Sequence, residues 1–443
     1  MVQMKSDPFG DPRNVILLTV DCLRWDHLSC NGYHRDTTPN LDTLAEDNLM
    51  FENAYSASSH TPEAVPAMLS GRYPDVFSDN EYQRVVPMIA DLLTDTAVSS
   101  GASHSNIHVS RTKGFESGFD HFFDDLYFGQ NRILALSQKI LNRIFKSRET
   151  YYARADEINQ KSLNWLDSLD TNQQFFLWNH YMDVHGPYEP LREYQKIFRN
   201  EFVDRDKAHD LFHRALDDPS SITESEHQTL IDLYDCEIRY IDDQISAFLE
   251  SIKEKGLLED SLVILTADHG DAFAEHNYYN HPRRLHKELV HVPFIVANPS
   301  VNNERVETVI STLDIVPTVL RVFNEAVPED LPGQSLQELV SSPQDYTNRH
   351  VYLQARGEED ESHIRRFAAR TTDSMAFVKW DIESGSVLEK RCSEGADNLL
   401  SDLLTHCEQR SEQTKKKVVA EEDSENGYLV DDVDDRLEAM GYK

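Results

Sequence analysis

Asn14–Val20 reads NVILLTV and is followed at once by Asp21. The run has no polar face, so it suits a strand buried on both sides, as in a parallel sheet covered by helices. Three further runs read the same way: Phe175–Tyr181 (FFLWNHY), Ser261–Ala267 (SLVILTA) and His291–Asn298 (HVPFIVAN). Helical patterns separate them. In the clearest, Thr229–Lys255, apolar Ile231, Tyr234, Ile238, Ile241, Ile245, Phe248 and Ile252 recur every three or four residues, and Gly256 supplies a stop. Strands alternating with helices predict an α/β fold with a large, mostly parallel sheet sandwiched by helices.

Outward from this core the pattern changes. Gln130–Arg154, rich in Arg and Leu, predicts a helix, and polar Glu189–Glu224 an excursion over the active-site face. After about Tyr346 the stretches Val351–Ala355 and Met375–Trp380 predict strands of a smaller antiparallel unit. Two domains are therefore expected, a catalytic one over 12–345 and a small C-terminal α/β subdomain over 346–443 with an acidic tail. Polar Cys407–Asn426 predicts a mobile loop, and Val433–Tyr442 a short helix carrying Leu437, Met440 and Tyr442.

Charge narrows the function. The 443 residues include 78 acidic and 43 basic ones, a formal charge of −35, and Arg (27) outnumbers Lys (16). A dispersed acidic excess makes the chain self-repelling unless salt screens it, which predicts a salt-adapted, halophilic protein. It disfavours nucleic acid as a partner, since phosphate backbones need clustered cations. The hydrophobic share, 39%, is low but enough for a core, and sparse Gly and Pro argue against broad disorder. The scattered Cys22, Cys30, Cys236, Cys392 and Cys407 form no C-x-x-C pair and predict a reducing compartment. The N-terminus carries no apolar leader pattern, and no run approaches the ~18 apolar residues of a membrane span. A cytoplasmic location is expected.

Three of the four strands run into potential ligands. Val20 leads to Asp21, Tyr181 to Asp183 and His185, and Ala267 to Asp268 and His269. In open parallel sheets the site lies at the carboxyl ends of the strands, so these distant residues should converge. Two carboxylates with imidazoles suit a hard or borderline divalent cation, which polarises an ester oxygen and neutralises developing charge. Each Asp alone is weak evidence, because Asp is common at strand ends as a helix N-cap.

The opening NVILLTVDCLRWDHLSCNGYHRDTTPNLDTLAEDNLMFENAYS resembles that of the sulfatase family of the alkaline-phosphatase superfamily. HTPEAVPAMLSGRYP, HYMDVHGPYEP, LTADHGDAFAEHN, ELVHVPFIVANP and STLDIVPTVL resemble the family's later motifs in order, so the resemblance covers roughly residues 12–340. The salt-adapted composition suggests a haloarchaeal type. The family's nucleophile lies ten residues before the Gly of a T-G-R-Y-P-like segment, here Ser70-Gly71-Arg72-Tyr73-Pro74, which points to Thr61. Sulfatases carry Cys or Ser there, within C-x-P-S-R, for conversion to formylglycine. This chain has no Cys, and Val65 stands where the Arg would be. Relatives that cleave phosphate or phosphonate esters use a plain Thr or Ser.

The resemblance implies that Asp21, Asp268, His269 and Thr61 hold a divalent ion (Ca, Mg, Mn or Zn) and that Thr61, His185 and His281 act in catalysis. Thr61 in Thr-Pro-Glu also reads as a helix N-cap. Cys22 replaces the family's usual second Asp and reads best as a small packed side chain. His276 would play a supporting role. The family's K-W-H segment is not recognisable; His104, His108 and Lys113 are the nearby candidates. Arg72 reads as structural, and Arg24 stays open. The expected substrate is a small-molecule sulfate or phosphate ester. Three functions remain: a Thr61-dependent hydrolase of phosphate mono- or diesters, a sulfuric ester hydrolase working without formylglycine, and a catalytically inactive binding relative.

Overall fold

The computed structural model describes residues 7–125 and 152–418, with side chains of the last helix described through Gln413. Its centre is an eight-stranded sheet built from β1 (Asn14–Val20), β2 (Leu49–Phe51), β3 (Val98–Ser103), β4 (His121–Phe123), β5 (Gln174–Tyr181), β6 (Ser261–Ala267), β7 (Phe294–Ala297) and β8 (Glu304–Val306). The spatial order is β8-β2-β7-β6-β1-β5-β3-β4. β1 lies in the middle with all seven residues buried, paired in parallel with β5 and β6.

The register decides where the site falls. Val20 pairs with Tyr181 on one side and Ala267 on the other. The three chains therefore leave the sheet side by side, and Asp21, Met182 and Asp268 emerge on one edge.

The 291–298 run corrects the expectation of a parallel strand. β7 spans Phe294–Ala297 and is antiparallel to both β6 and β2. A run apolar on both faces reports burial, not direction. The 268–293 connection contains only a two-stranded hairpin and the four-residue helix Lys287–Val290, not a full crossover helix.

Around the sheet lie α1 (Pro39–Asp47), α2 (Thr61–Ser70), α3 (Ala155–Leu166), α4 (Arg205–Asp217), α5 (Glu224–Glu254) and α6 (Ile315–Val322). α5 begins five residues before the apolar periodicity because Thr223 and Glu226 form a capping box. It ends at Glu254 with Lys255 as its C-cap, followed by Gly256 at φ +70°, the left-handed conformation that glycine adopts without strain. The 189–224 excursion contains the short helix Arg192–Phe198 and α4, whose Ala208, Leu211, Phe212 and Ala215 are buried. The expected 130–154 helix lies mostly outside the described residues; 152–154 are not helical, and Arg154 caps α3.

The C-terminal unit is a meander of β9 (Val351–Arg356), β10 (Ile364–Arg370), β11 (Met375–Asp381) and β12 (Ser386–Cys392). It packs against α7 (Asp397–Val418). The expected loop from Cys407 is corrected here, since 407–418 are helical. Leu399, Leu403 and Cys407 recur every four residues and bury against Phe367, Val378 and Trp380, so the polar residues are only the solvent face. Residues 419–426 and the 433–442 helix fall outside the described residues. β9 also docks on the main domain: the Gln354 amide donates to the Ala57 carbonyl (2.9 Å), and Leu353 and Ala355 share a core with Tyr55 and Ala272.

Candidate active site

Asp21 leaves β1 with its amide bonded to the Tyr181 carbonyl (2.9 Å), and its carboxylate is fully buried. Its Oδ2 accepts from the Asn106 amide nitrogen (3.0 Å) and lies 3.2 Å from His180 Nε2. The other nitrogen of His180 bonds Thr19 Oγ1 (2.9 Å), its register partner on β1. His180 and Asn106 were not singled out from the sequence. An ionisable residue inside an apolar strand was the available signal for His180; Asn106 sits between the two named histidines, 104 and 108.

Thr61 enters from α2, whose ten residues are all buried. The N-cap is His60, so Thr61 is the first helical residue. Its hydroxyl turns toward the sheet, 3.1 Å from Asp21 Oδ2 and 3.2 Å from His269 Nε2. Asp268 and His269 follow β6. Asp268 Oδ1 accepts the His269 amide (2.9 Å), while Oδ2 is buried without a hydrogen-bond partner, 3.4 Å from His269 Nε2. His269 Nδ1 donates to the Gly270 carbonyl (2.9 Å), which leaves the Nε2 lone pair facing Asp21, Asp268 and Thr61.

Lone pairs therefore converge: two carboxylates, one imidazole nitrogen and one hydroxyl, with donor atoms of Asp21, Asp268 and His269 all within 4.8 Å of one another. Without a cation the two buried carboxylates repel each other at a desolvation cost that the Thr61 hydroxyl offsets only in part. The donor set fits a divalent ion. The proton affinities tell the same story. Burial works to raise both carboxyls. The His180 bond, with His185 and His269, outweighs it at Asp21 and holds that group well below its ordinary value. Asp268, buried beside the Asp21 charge, is pushed well above.

On the open side His185 and His281 meet at 3.0 Å between their Nε2 atoms, and the His281 ring centroid lies 4.6 Å from that of His269. His185 Nδ1 bonds the Gly186 carbonyl (2.5 Å), so His281 Nε2–H donates to His185 Nε2. Burial lowers the proton affinity of both rings. Cys22 takes φ +63°, placing Sγ 3.2 Å from Asp21 Oδ1. Burial, then the charges of Asp21, Asp271 and Asp268, keep it a neutral thiol.

The remaining candidates separate. His108 lies within electrostatic reach of Asp21 and His185. His104 packs on Trp178 and Phe122. Lys113 donates to the Glu81 carbonyl (3.3 Å). Arg24 is held by Asp26, Glu275 and the Asp271 carbonyl, which makes it a brace. Arg72 pairs with exposed Asp330. His276 lies away from the centre, 3.1 Å from Glu288.

Known proteins resemble this chain along most of its length. An arylsulfatase of Clostridium perfringens is 22% identical over 400 residues, covering 79% of this chain and 83% of that protein. A structure solved in complex with its substrate D-glucosamine-2-N,6-O-disulfate superposes with TM-score 0.71 at 18% identity, covering 92% of this chain and 98% of the other. The phosphonate monoester hydrolase of Agrobacterium radiobacter does so with TM-score 0.66 at 16% identity, covering 92% and 96%. The Sulfatase family profile matches residues 13–325, and the chain belongs to that family of ester hydrolases.

Proposed function

We propose that this protein hydrolyses a phosphate mono- or diester with the Thr61 hydroxyl as nucleophile. The observation that carries the proposal is the placement of Thr61 Oγ1, 3.1 Å from Asp21 Oδ2 and 3.2 Å from His269 Nε2, at the first position of a buried helix. An N-cap hydroxyl would face the helix amides; this one faces the carboxylates. Asp21, Asp268, His269 and Thr61 would hold a divalent cation, which supplies positive charge that favours the Thr61 alkoxide and the anionic ester.

The protein groups do the rest. Asp21 and His269 orient the hydroxyl, and the α2 N-terminus favours an anion in front of it. As the Thr61 proton passes to solvent, Oγ1 attacks phosphorus, the ester P–O bond breaks, and the leaving oxygen takes a proton from the His185–His281 pair, which regains it from water. Water then hydrolyses the threonyl phosphoester, returning the Thr61 hydroxyl and releasing phosphate from a monoester or a phosphate monoester from a diester. The absence of a Cys at position 61 and Val65 in place of the motif Arg favour phosphate over sulfate. A sulfate ester is the second reading, favoured by the arylsulfatase likeness. The same proposal assigns catalysis to 12–345 and an accessory role to 346–443, and its unpaired cysteines fit a reducing cytoplasm. Among the described residues no helix is long and apolar enough to cross a membrane.

The test is turnover of paired chromogenic esters, a sulfate, a phosphate monoester and a phosphodiester, in high salt with Mn²⁺, Mg²⁺, Ca²⁺ or Zn²⁺. Phosphoester turnover should fall at least ~10³-fold in both Thr61→Ala and Asp268→Ala. Sulfate turnover would replace the phosphate reading. A protein that turns over no ester and binds no metal would be an inactive relative.

A further inference from the structure

A second group of donors lies at the surface. His276 sits in the turn between the short strands Ala272–Phe273 and Tyr279–Asn280; His286 caps the helix Lys287–Val290, which carries Glu288. Glu288 Oε1 lies 3.1 Å from His276 Nε2 and 3.8 Å from His286 Nδ1. The two rings overlap with centroids 3.7 Å apart. One donor atom from each residue falls within 4.8 Å of the others. The Glu288 side chain is nine-tenths buried, yet neither imidazole reaches Oε1 with hydrogen-bond geometry. The carboxylate, which also hydrogen-bonds Tyr278, is thus aimed between two imidazoles.

We propose that His276, His286 and Glu288 form a second metal site, selective for Zn²⁺. Two imidazoles and a carboxylate are a zinc donor set, and exposed His276 leaves a fourth position to water. Bonds of about 2.0–2.1 Å to a tetrahedral ion put neighbouring donors about 3.3–3.5 Å apart, and the two measured separations bracket that range. Calcium and magnesium prefer all-oxygen shells, so the site should ignore them. For His286 Nδ1 to bind the ion, Tyr278, whose hydroxyl lies 2.6 Å from it, must release it.

The ion would act on the buried centre indirectly. Residues 276 and 288 bracket His281. The Gly270 amide donates to the Leu289 carbonyl (2.8 Å), and a Cβ on Gly270 would lie 2.1 Å from the Glu288 carbonyl oxygen. Zinc here would fasten both ends of the His281 segment and brace the peptide after His269. The site stands or falls independently of the Thr61 mechanism.

Metal-free full-length protein would be titrated with Zn²⁺ against a chromogenic chelator in high salt, comparing native, His276→Ala, His286→Ala and Asp268→Ala proteins. Both His variants should weaken one equivalent of zinc at least ~tenfold, and Asp268→Ala should affect a different equivalent. Native-like circular dichroism of His276→Ala, an exposed turn substitution, keeps the comparison valid even if another variant misfolds. Equal stoichiometry and affinity in native and His276→Ala proteins would overturn the proposal, as would competition by millimolar Ca²⁺ at that equivalent.

Discussion

Replacing Arg154 by Met should destabilise the protein in a strongly pH-dependent way. Arg154 lies between two fully buried carboxylates, 3.1 Å from Asp183 Oδ1 and 2.6 Å from Glu237 Oε2, with its guanidinium 4.3 Å from the Tyr240 ring. Methionine keeps most of the stem but removes the cation, leaving two buried acids without a counter-charge. Breaking such a group costs about 3–5 kcal/mol while the acids stay ionised. Burial already raises both, outweighing Arg154: Asp183 to about 6 and Glu237 to about 7. A raised carboxyl favours folding at low pH, and that contribution is lost as pH rises through the folded value. The deficit of Arg154→Met should therefore be small at pH 5, where both acids take up protons, and approach the full value at pH 8. Urea unfolding followed by tryptophan fluorescence at pH 5, 6, 7 and 8 measures it. Asp183 is two residues from His185, so activity should fall along the same curve. A deficit constant with pH, or one that grows toward acid, would refute the buried-triad reasoning.

Other outcomes follow from the site and the surface. Cys22→Asp adds a carboxylate at a left-handed position that Asp tolerates better than Cys, and should tighten divalent-ion binding by about tenfold in calorimetry; unchanged affinity would mean that this position does not face the ion. Gly270→Ala drives a Cβ into the Glu288 carbonyl, and should cost about 1–3 kcal/mol in chemical denaturation and about 10²-fold in turnover through displacement of His269; wild-type values for both would contradict the close approach. The −35 charge predicts that the melting temperature falls steadily as NaCl drops from molar to about 0.1 M; a flat profile would remove the case for salt adaptation.

The central strands were legible because burial on both faces leaves an unbroken apolar run, and β1 and β6 match their expected bounds. The direction of β7 was not, since the pairing partner is set by connections that no local pattern encodes. α7 was misread from Cys407 because a helix packed along one narrow stripe presents mostly polar residues. In the site, motif order pointed to Asp21, Thr61, Asp268, His269, His185 and His281, and the structure brings all six together. His180 and Asn106 escaped because their role is purely spatial: each touches Asp21 from another chain segment, 159 and 85 residues away in sequence.

The docking of β9 has a consequence for how the molecule is made. Glu63, two residues after Thr61, accepts a hydrogen bond from the Arg356 amide 293 residues downstream (3.2 Å), and Ser58 holds its other oxygen (2.8 Å). Contacts so far apart in sequence form late, after the loop-closure entropy between them has been met. A ribosome-bound chain that has released only the central sheet thus carries the Thr61 helix without its far support. The start of that helix therefore gains this tie to the rest of the fold only once the C-terminal meander has docked.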